Sequence, residues 1–100
     1  MDGFAALSDS TRRDIVTLLA RGEQRASAIA TGFEMTAPAI SQHLKVLRKA
    51  GLVTVEKRGR ERVYRLDPAG LAEMERWVAR TRRLWNGRLD ALQQVLDGEE

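Results

Sequence analysis

Hydrophobic positions recur at helical spacing as far as Gly51, alternate with polar ones between Leu52 and Leu66, and return to helical spacing beyond Pro68. Phe4 to Leu7 reads as a short helical lead-in that packs on something larger. Ser8 or Asp9 can cap a second helix, whose apolar stripe of Ile15, Val16, Leu18 and Leu19 stops at Gly22. Ser27 to Phe33 is a short, alanine-rich third helix that ends near Gly32. Thr36 caps a fourth, with Pro38 in the first turn, where a missing N–H costs nothing, and Gly51 just past the last turn. Leu52, Val53 and Val55 then lead into Lys57-Arg58-Gly59-Arg60-Glu61-Arg62, and Val63, Tyr64 and Leu66 follow. Two short β-branched or aromatic runs about a charged, glycine-containing tip make a hairpin. Asp67 as N-cap and Pro68 at the first helical position open a long final helix. Its apolar seam comprises Leu71, Met74, Val78, Leu84, Trp85, Leu89, Leu92 and Leu96. Asn86-Gly87 interrupts that helix, so a kink or a break there stays open.

Helix, helix, helix–turn–helix, hairpin, helix is the order of a winged helix-turn-helix domain, mainly α with a small β-hairpin. The sequence predicts a single such domain over residues 1–100, with a recognition helix at 36–50, a wing at 53–66 and a C-terminal dimerisation helix at 68–97. No repeat and no low-complexity segment breaks it. The fourth helix carries the most informative pattern. At about 100° per residue, Ile40, Leu44 and Leu47 fall in a narrow sector, while Pro38, Ser41, Gln42, Lys45 and Lys49 fall roughly opposite. A helix in the major groove needs small or amide residues where base edges are reached. Gln can bridge adenine N6 and N7, and Ser can donate or accept at several bases. Lysines further along suit phosphates, which position a protein without specifying sequence. The expected DNA-facing set is Thr36, Pro38, Ser41, Gln42, Lys45 and Lys49; the plainer alternative is a solvated outer face.

Charge distribution favours the first reading. The net charge is only +3, yet residues 41–65 contain eight Lys or Arg against Glu56 and Glu61, so that segment carries +6 and the rest −3. Positive charge concentrated on a structured pattern is the footprint expected for a polyanion. In the hairpin tip, Lys57, Arg58, Arg60 and Arg62 can straddle a minor groove or grip flanking phosphates. An edge strand charged only against aggregation is the alternative.

Composition removes other chemistries. The chain has 100 residues, no cysteine and one histidine, which excludes disulfides, thiolate metal sites and an imidazole-rich cluster within one copy. With 43% hydrophobic residues it can form a modest core, and burial shared with a partner would help. The opening MDGFAALSDS lacks the basic-then-apolar plan of a signal peptide, and no apolar run reaches membrane-spanning length, so a soluble, cytoplasmic protein without membrane contact is expected. Arginine outnumbers lysine 14 to 3, weakly suggesting a GC-rich bacterial genome. His43 sits beside the apolar sector and reads as a partly buried packing residue bonded to nearby backbone rather than a ligand or base. Ser41 and His43, two apart on a helix, cannot pair as nucleophile and base. With no phosphate loop, paired carboxylates or metal-spaced cluster, no catalytic residue is assigned and no enzyme activity is expected.

The final helix, about 43 Å long over some 29 residues, is too long for one small domain to cover. The surplus is expected to bury itself against a second copy, through Phe4, Leu7, Trp85, Leu89, Leu92 and Leu96. A helix broken at Gly87 and folded back is the alternative.

ALSDSTRRDIVTLL, ISQHLKVLRKAGLV and GRERVYRLDPAGL closely resemble the ArsR-type family of bacterial transcriptional regulators, over about Phe4 to Leu96. The resemblance implies a homodimer that binds double-stranded operator DNA. Many relatives sense metals through cysteines on the helix before the recognition helix, or through His and carboxylate ligands on the last one. Here the first reads SAIATGF and the last has no histidine; Asp90, Asp97, Glu99 and Glu100 remain, and carboxylates alone make a poor soft-metal site. No metal site, cofactor or metal response is therefore expected. A small-molecule effector near the dimer seam, control by abundance alone, and a winged-helix module used for protein–protein contact all stay open.

Overall fold

The computed structural model describes residues 2–98. In chain order it comprises α1 (Gly3–Ala6), α2 (Ser10–Ala20), β1 (Gln24–Arg25), α3 (Ala26–Gly32), α4 (Ala37–Lys49), β2 (Val53–Arg58), β3 (Glu61–Leu66) and α5 (Pro68–Asp97). Side-chain caps fix most helix starts. Asp2 accepts from Phe4 N–H, Thr36 from Ala39 N–H and Asp67 from Ala69 N–H. Between the two candidate caps of α2, Asp9 takes the role by accepting from Arg12 N–H, while the Ser8 hydroxyl donates to Ala5 O. Gly51, at φ +76°, takes the left-handed position just past the C-cap Ala50 and lets the chain turn out of α4.

The hairpin pairs Val53 with Leu66 through to Arg58 with Glu61, leaving a two-residue loop of Gly59 and Arg60. Only Gly59 has positive φ there, +64°, as a turn with glycine at its first central position requires. A third strand joins it: β1 pairs antiparallel with β3, Gln24 opposite Tyr64 and Arg25 opposite Val63, giving the order β1-β3-β2. Two residues carry no alternating pattern, so nothing in the sequence announces this strand.

The core lies where α2, α3 and α4 meet the base of the sheet. Ile15, Ile29, Ile40, Leu44, Leu47 and Leu52 are fully buried, and Val53 and Tyr64 close it from the hairpin. α5 contributes no buried residue; Leu71 and Met74 in its first turns only lean on the core. α5 is continuous through Asn86-Gly87 for 30 residues. One interior Gly costs about 1 kcal/mol, which the surrounding Leu, Arg, Ala and Gln residues outweigh in a cooperative helix. The helix therefore runs about 45 Å and makes the molecule 72 Å long but only 23 Å across. Beyond its first turns Trp85, Leu89, Leu92, Val95 and Leu96 are exposed, and so is Leu84, which at 74% is the most open of them.

Where α5 begins it is pressed against the turn after α4. A Cβ built on Gly70 would lie 2.1 Å from Gly51 O and 2.8 Å from its carbonyl carbon. Only glycine permits that approach.

Candidate nucleic-acid interface

α4 buries Ile40, Leu44 and Leu47 and exposes Thr36, Pro38, Ser41, Gln42, Lys45 and Lys49 on its outer side. Arg48 is exposed with them and lines a shallow surface depression together with Lys45 and Lys49. At about 80° from Ile40 it borders the apolar sector beside Ser41, which is why the spacing did not single it out. His43 is half-buried, but its partners are side chains, not backbone. Nδ1 lies 3.5 Å from Arg12 Nη1 and 3.8 Å from Asp9 Oδ2, while Arg12 Nε donates to Ala6 O. This links α1, the start of α2 and α4.

The hairpin sorts its charges by face. Val53, Val55, Lys57, Arg62, Tyr64 and Leu66 share the face that continues from the core. Arg62 and Tyr64 line one notch, about 300 Å³, with Ile40, Ser41 and Leu44, so α4 and the hairpin border a common groove. Lys57 stands directly opposite Arg62, and neither they nor Arg60 makes an ion pair among the described residues. Like charges opposite each other destabilise a ladder.

The other face is neutralised. Arg58 donates to both oxygens of Glu23, at 2.6 and 3.1 Å, and to Glu56 at 3.0 Å, while Arg25 pairs with Glu61 at 2.9 Å. The hydrogen bond from Arg58 holds the Glu23 carboxyl below its ordinary pKa, and the two glutamates raise that of Arg58. Of the four basic tip residues, Arg58 is thus tied to the turn before β1, whereas Lys57, Arg60 and Arg62 stay available. Because the Glu23 pKa is lowered on folding, this tether contributes at neutral pH and is lost as pH falls through the lowered value. Acidification should shift the Arg58 side-chain N–H resonances in a Glu23-dependent titration, and Glu23→Gln should show that released state already at neutral pH. A titration identical in both proteins would contradict the tether.

Among the described residues no three His, Cys, Asp or Glu side chains converge, and no helix is long and apolar enough to cross a membrane.

The profile of the bacterial regulatory protein, arsR family, matches residues 9–55, from the cap of α2 into β2. The HTH-type transcriptional regulator Rv2034 of Mycobacterium tuberculosis is 43% identical over 96 residues, 96% of this chain and 87% of the relative. The chain belongs to the arsR family. An ArsR-like transcriptional regulator from Rhodococcus sp. RHA1 superposes with a TM-score of 0.87 at 42% identity, over 97% of this chain and 89% of the other. The homodimeric winged helix-turn-helix DNA-binding domain Mb0332 of Mycobacterium bovis has a TM-score of 0.65 at 32% identity, over 79% and 73% of the two chains. The winged helix-turn-helix architecture and the place among transcriptional regulators are therefore established for this arsR-family chain. The family profile ends at Val55, so the wing tip and α5 lie outside it.

Proposed function

We propose that two copies of this chain, joined through α5 and the α1 segment, bind operator DNA and repress transcription from it. α4 lies in the major groove with Ser41 and Gln42 at base edges, while Thr36, Pro38, Lys45 and Lys49 meet the sugar-phosphate backbone. Lys57, Arg60 and Arg62 of the wing grip the adjoining DNA, and Arg58 holds the wing in place. The observation that carries this reading is the Lys57–Arg62 pair, two uncompensated cations directly opposite on the hairpin face that borders Ser41. A phosphate backbone between them turns that repulsion into attraction. The exposed leucines of α5 and the homodimeric Mycobacterium bovis relative support pairing. Such a protein acts where the DNA is, in the cytoplasm.

Titration of two variants against operator and scrambled duplex at several salt concentrations tests the division of labour. Gln42→Ala should cost on the order of 1–3 kcal/mol per subunit on operator and little on scrambled DNA, with the salt slope nearly unchanged. Arg60→Ala should weaken both duplexes alike and flatten the slope by about one unit per lost phosphate contact. Equal weakening of both duplexes by Gln42→Ala would sink α4 as the sequence reader. Zinc, cadmium or arsenite should leave operator affinity unchanged, and a metal-dependent loss that a chelator reverses in the same titration would refute this.

A further inference from the structure

We infer that the notch between α3, α4 and β3 binds a small carboxylate with an apolar body, and that this ligand and operator DNA exclude each other. The notch measures about 300 Å³. That is the small end of the range for ligand pockets and suits a single-ring molecule.

The walls decide the body of the ligand. The floor is core: Ile40 and Leu44 are 1% exposed and Tyr64 7%. Ala26 and Ala30 of α3 and Ala37 of α4 flank it, and their single methyl groups leave the space open. Phosphate or sulfate would gain nothing on such walls and would lose hydration, whereas an apolar body displaces water from them.

Charge decides the head group. No carboxylate lines the notch, and its one charged residue is Arg62, which makes no ion pair among the described residues. Lys57 stands directly opposite Arg62 on the same face of the hairpin. Glu61, in the adjoining depression with Ser27 and Arg62, is already held by Arg25 at 2.9 Å. A cationic ligand would be repelled, and a neutral one would leave Lys57 and Arg62 uncompensated. A carboxylate fits the planar fork of the guanidinium through two parallel hydrogen bonds. Ser27 and Ser41 add hydroxyl donors at the walls.

No residue of α1 or α5 lines the notch, so two copies joined through those segments leave it open. Operator DNA does not. In the regulatory reading above, Arg62 meets a phosphate and Ser41 a base edge. A bound carboxylate takes the same guanidinium and stands between α4 and the hairpin. The loss of operator affinity rests on that reading, whereas the binding itself does not.

Titration of the full chain with benzoate and with benzamidine, nearly equal in shape and opposite in charge, tests the site through the amide resonances of Ala30 and Ser41. Benzoate should saturate at one per chain and bind at least about tenfold tighter than benzamidine. Arg62→Met, which keeps an apolar stem, should weaken benzoate by about tenfold. Ala37→Leu, which fills the notch, should abolish saturation. Both positions are exposed, and removing Arg62 relieves its repulsion with Lys57, so both variants are expected to fold. Absence of saturable benzoate binding, equal binding of benzamidine, or unchanged affinity in either variant would overturn the site. Benzoate at about ten times its dissociation constant should also lower wild-type operator affinity at least about tenfold, against chloride at equal ionic strength. It should leave the operator affinity of Ala37→Leu where it was. An unchanged wild type, or an equal loss in Ala37→Leu, would overturn the competition. Operator titration without benzoate keeps the readings apart. A protein that binds operator but not benzoate loses the notch and keeps the regulator; one that binds benzoate but no operator does the reverse.

Discussion

Leu89→Asp or Leu92→Asp should convert the protein to monomers and lower its operator affinity by on the order of a hundredfold or more. These side chains are 47% and 56% exposed in one copy and touch nothing in the domain core. The substitution should therefore leave the fold and its helix content intact. In the dimer each change occurs twice, because a two-fold interface presents the same patch on both sides. Each buries a carboxylate without a partner, at a cost of several kcal/mol. Operator binding then falls because the second half-site is no longer reached at high effective concentration, an advantage of about 10²–10⁴ for linked modules. Gln94→Asp, roughly opposite the seam, should change neither property. Sedimentation and operator titration on the three variants decide the matter. A wild type that sediments as a monomer at micromolar concentration would remove the pairing role of α5.

Gly70→Ala should destabilise the protein, against the sign that helix propensity alone assigns. Alanine is favoured over glycine inside a helix by about 1 kcal/mol. Here the new Cβ would meet the Gly51 carbonyl oxygen at 2.1 Å and Leu52 Cα at 3.3 Å. Both neighbours are backbone, and Leu52 is fully buried while its carbonyl accepts from Asp67 N–H at 2.9 Å. The turn cannot yield without disturbing the core, so α5 must lift away. Overpacking of this kind costs roughly 1–3 kcal/mol or more. Each kcal/mol lowers the melting temperature of a domain this size by about 4–8 °C. Two other glycines calibrate the experiment. Gly3→Ala would crowd only the flexible side chain of Met74, and Gly87→Ala meets nothing within 4 Å and should stabilise α5. Thermal melts of the three variants at one protein concentration should rank Gly87→Ala highest and Gly70→Ala lowest. A Gly70→Ala protein as stable as wild type would show that the α4–α5 joint is not close-packed.

The elements whose boundaries the sequence announced are those marked by local chemistry. Thr36, Pro38 and Gly51 bracket α4, Asp67 and Pro68 open α5, and Gly59 sits at the hairpin tip, because caps and turns are decided within four residues. What escaped depends on distance in the chain. β1 exists because β3 offers it a partner some 40 residues on, and its two residues have no room for a pattern. Arg58 looked equivalent to its neighbours until folding brought Glu23 to it across 35 positions. His43 finds Arg12 in the same way. Gly87 suggested a break by a rule about single residues, whereas helix continuity is a sum over the whole segment. Val95, which the spacing did not place in the apolar seam, is exposed on the distal turns of α5, and Trp77 of that seam packs edge-on against Phe4.

The close approach of Gly70 to Gly51 makes α5 a lever with its fulcrum at the foot of the reading helix. The helix is about 45 Å long, so a tilt of about 10° at that point carries its far end through about 8 Å. In a pair of such molecules the same tilt is read in reverse: fixing the far ends against each other fixes the angle, and hence the span, between the two reading helices. Operator half-sites lie about 34–36 Å apart, one turn of the duplex. A disturbance at the fulcrum too small to see in the fold of either copy can therefore set the pair out of step with the DNA.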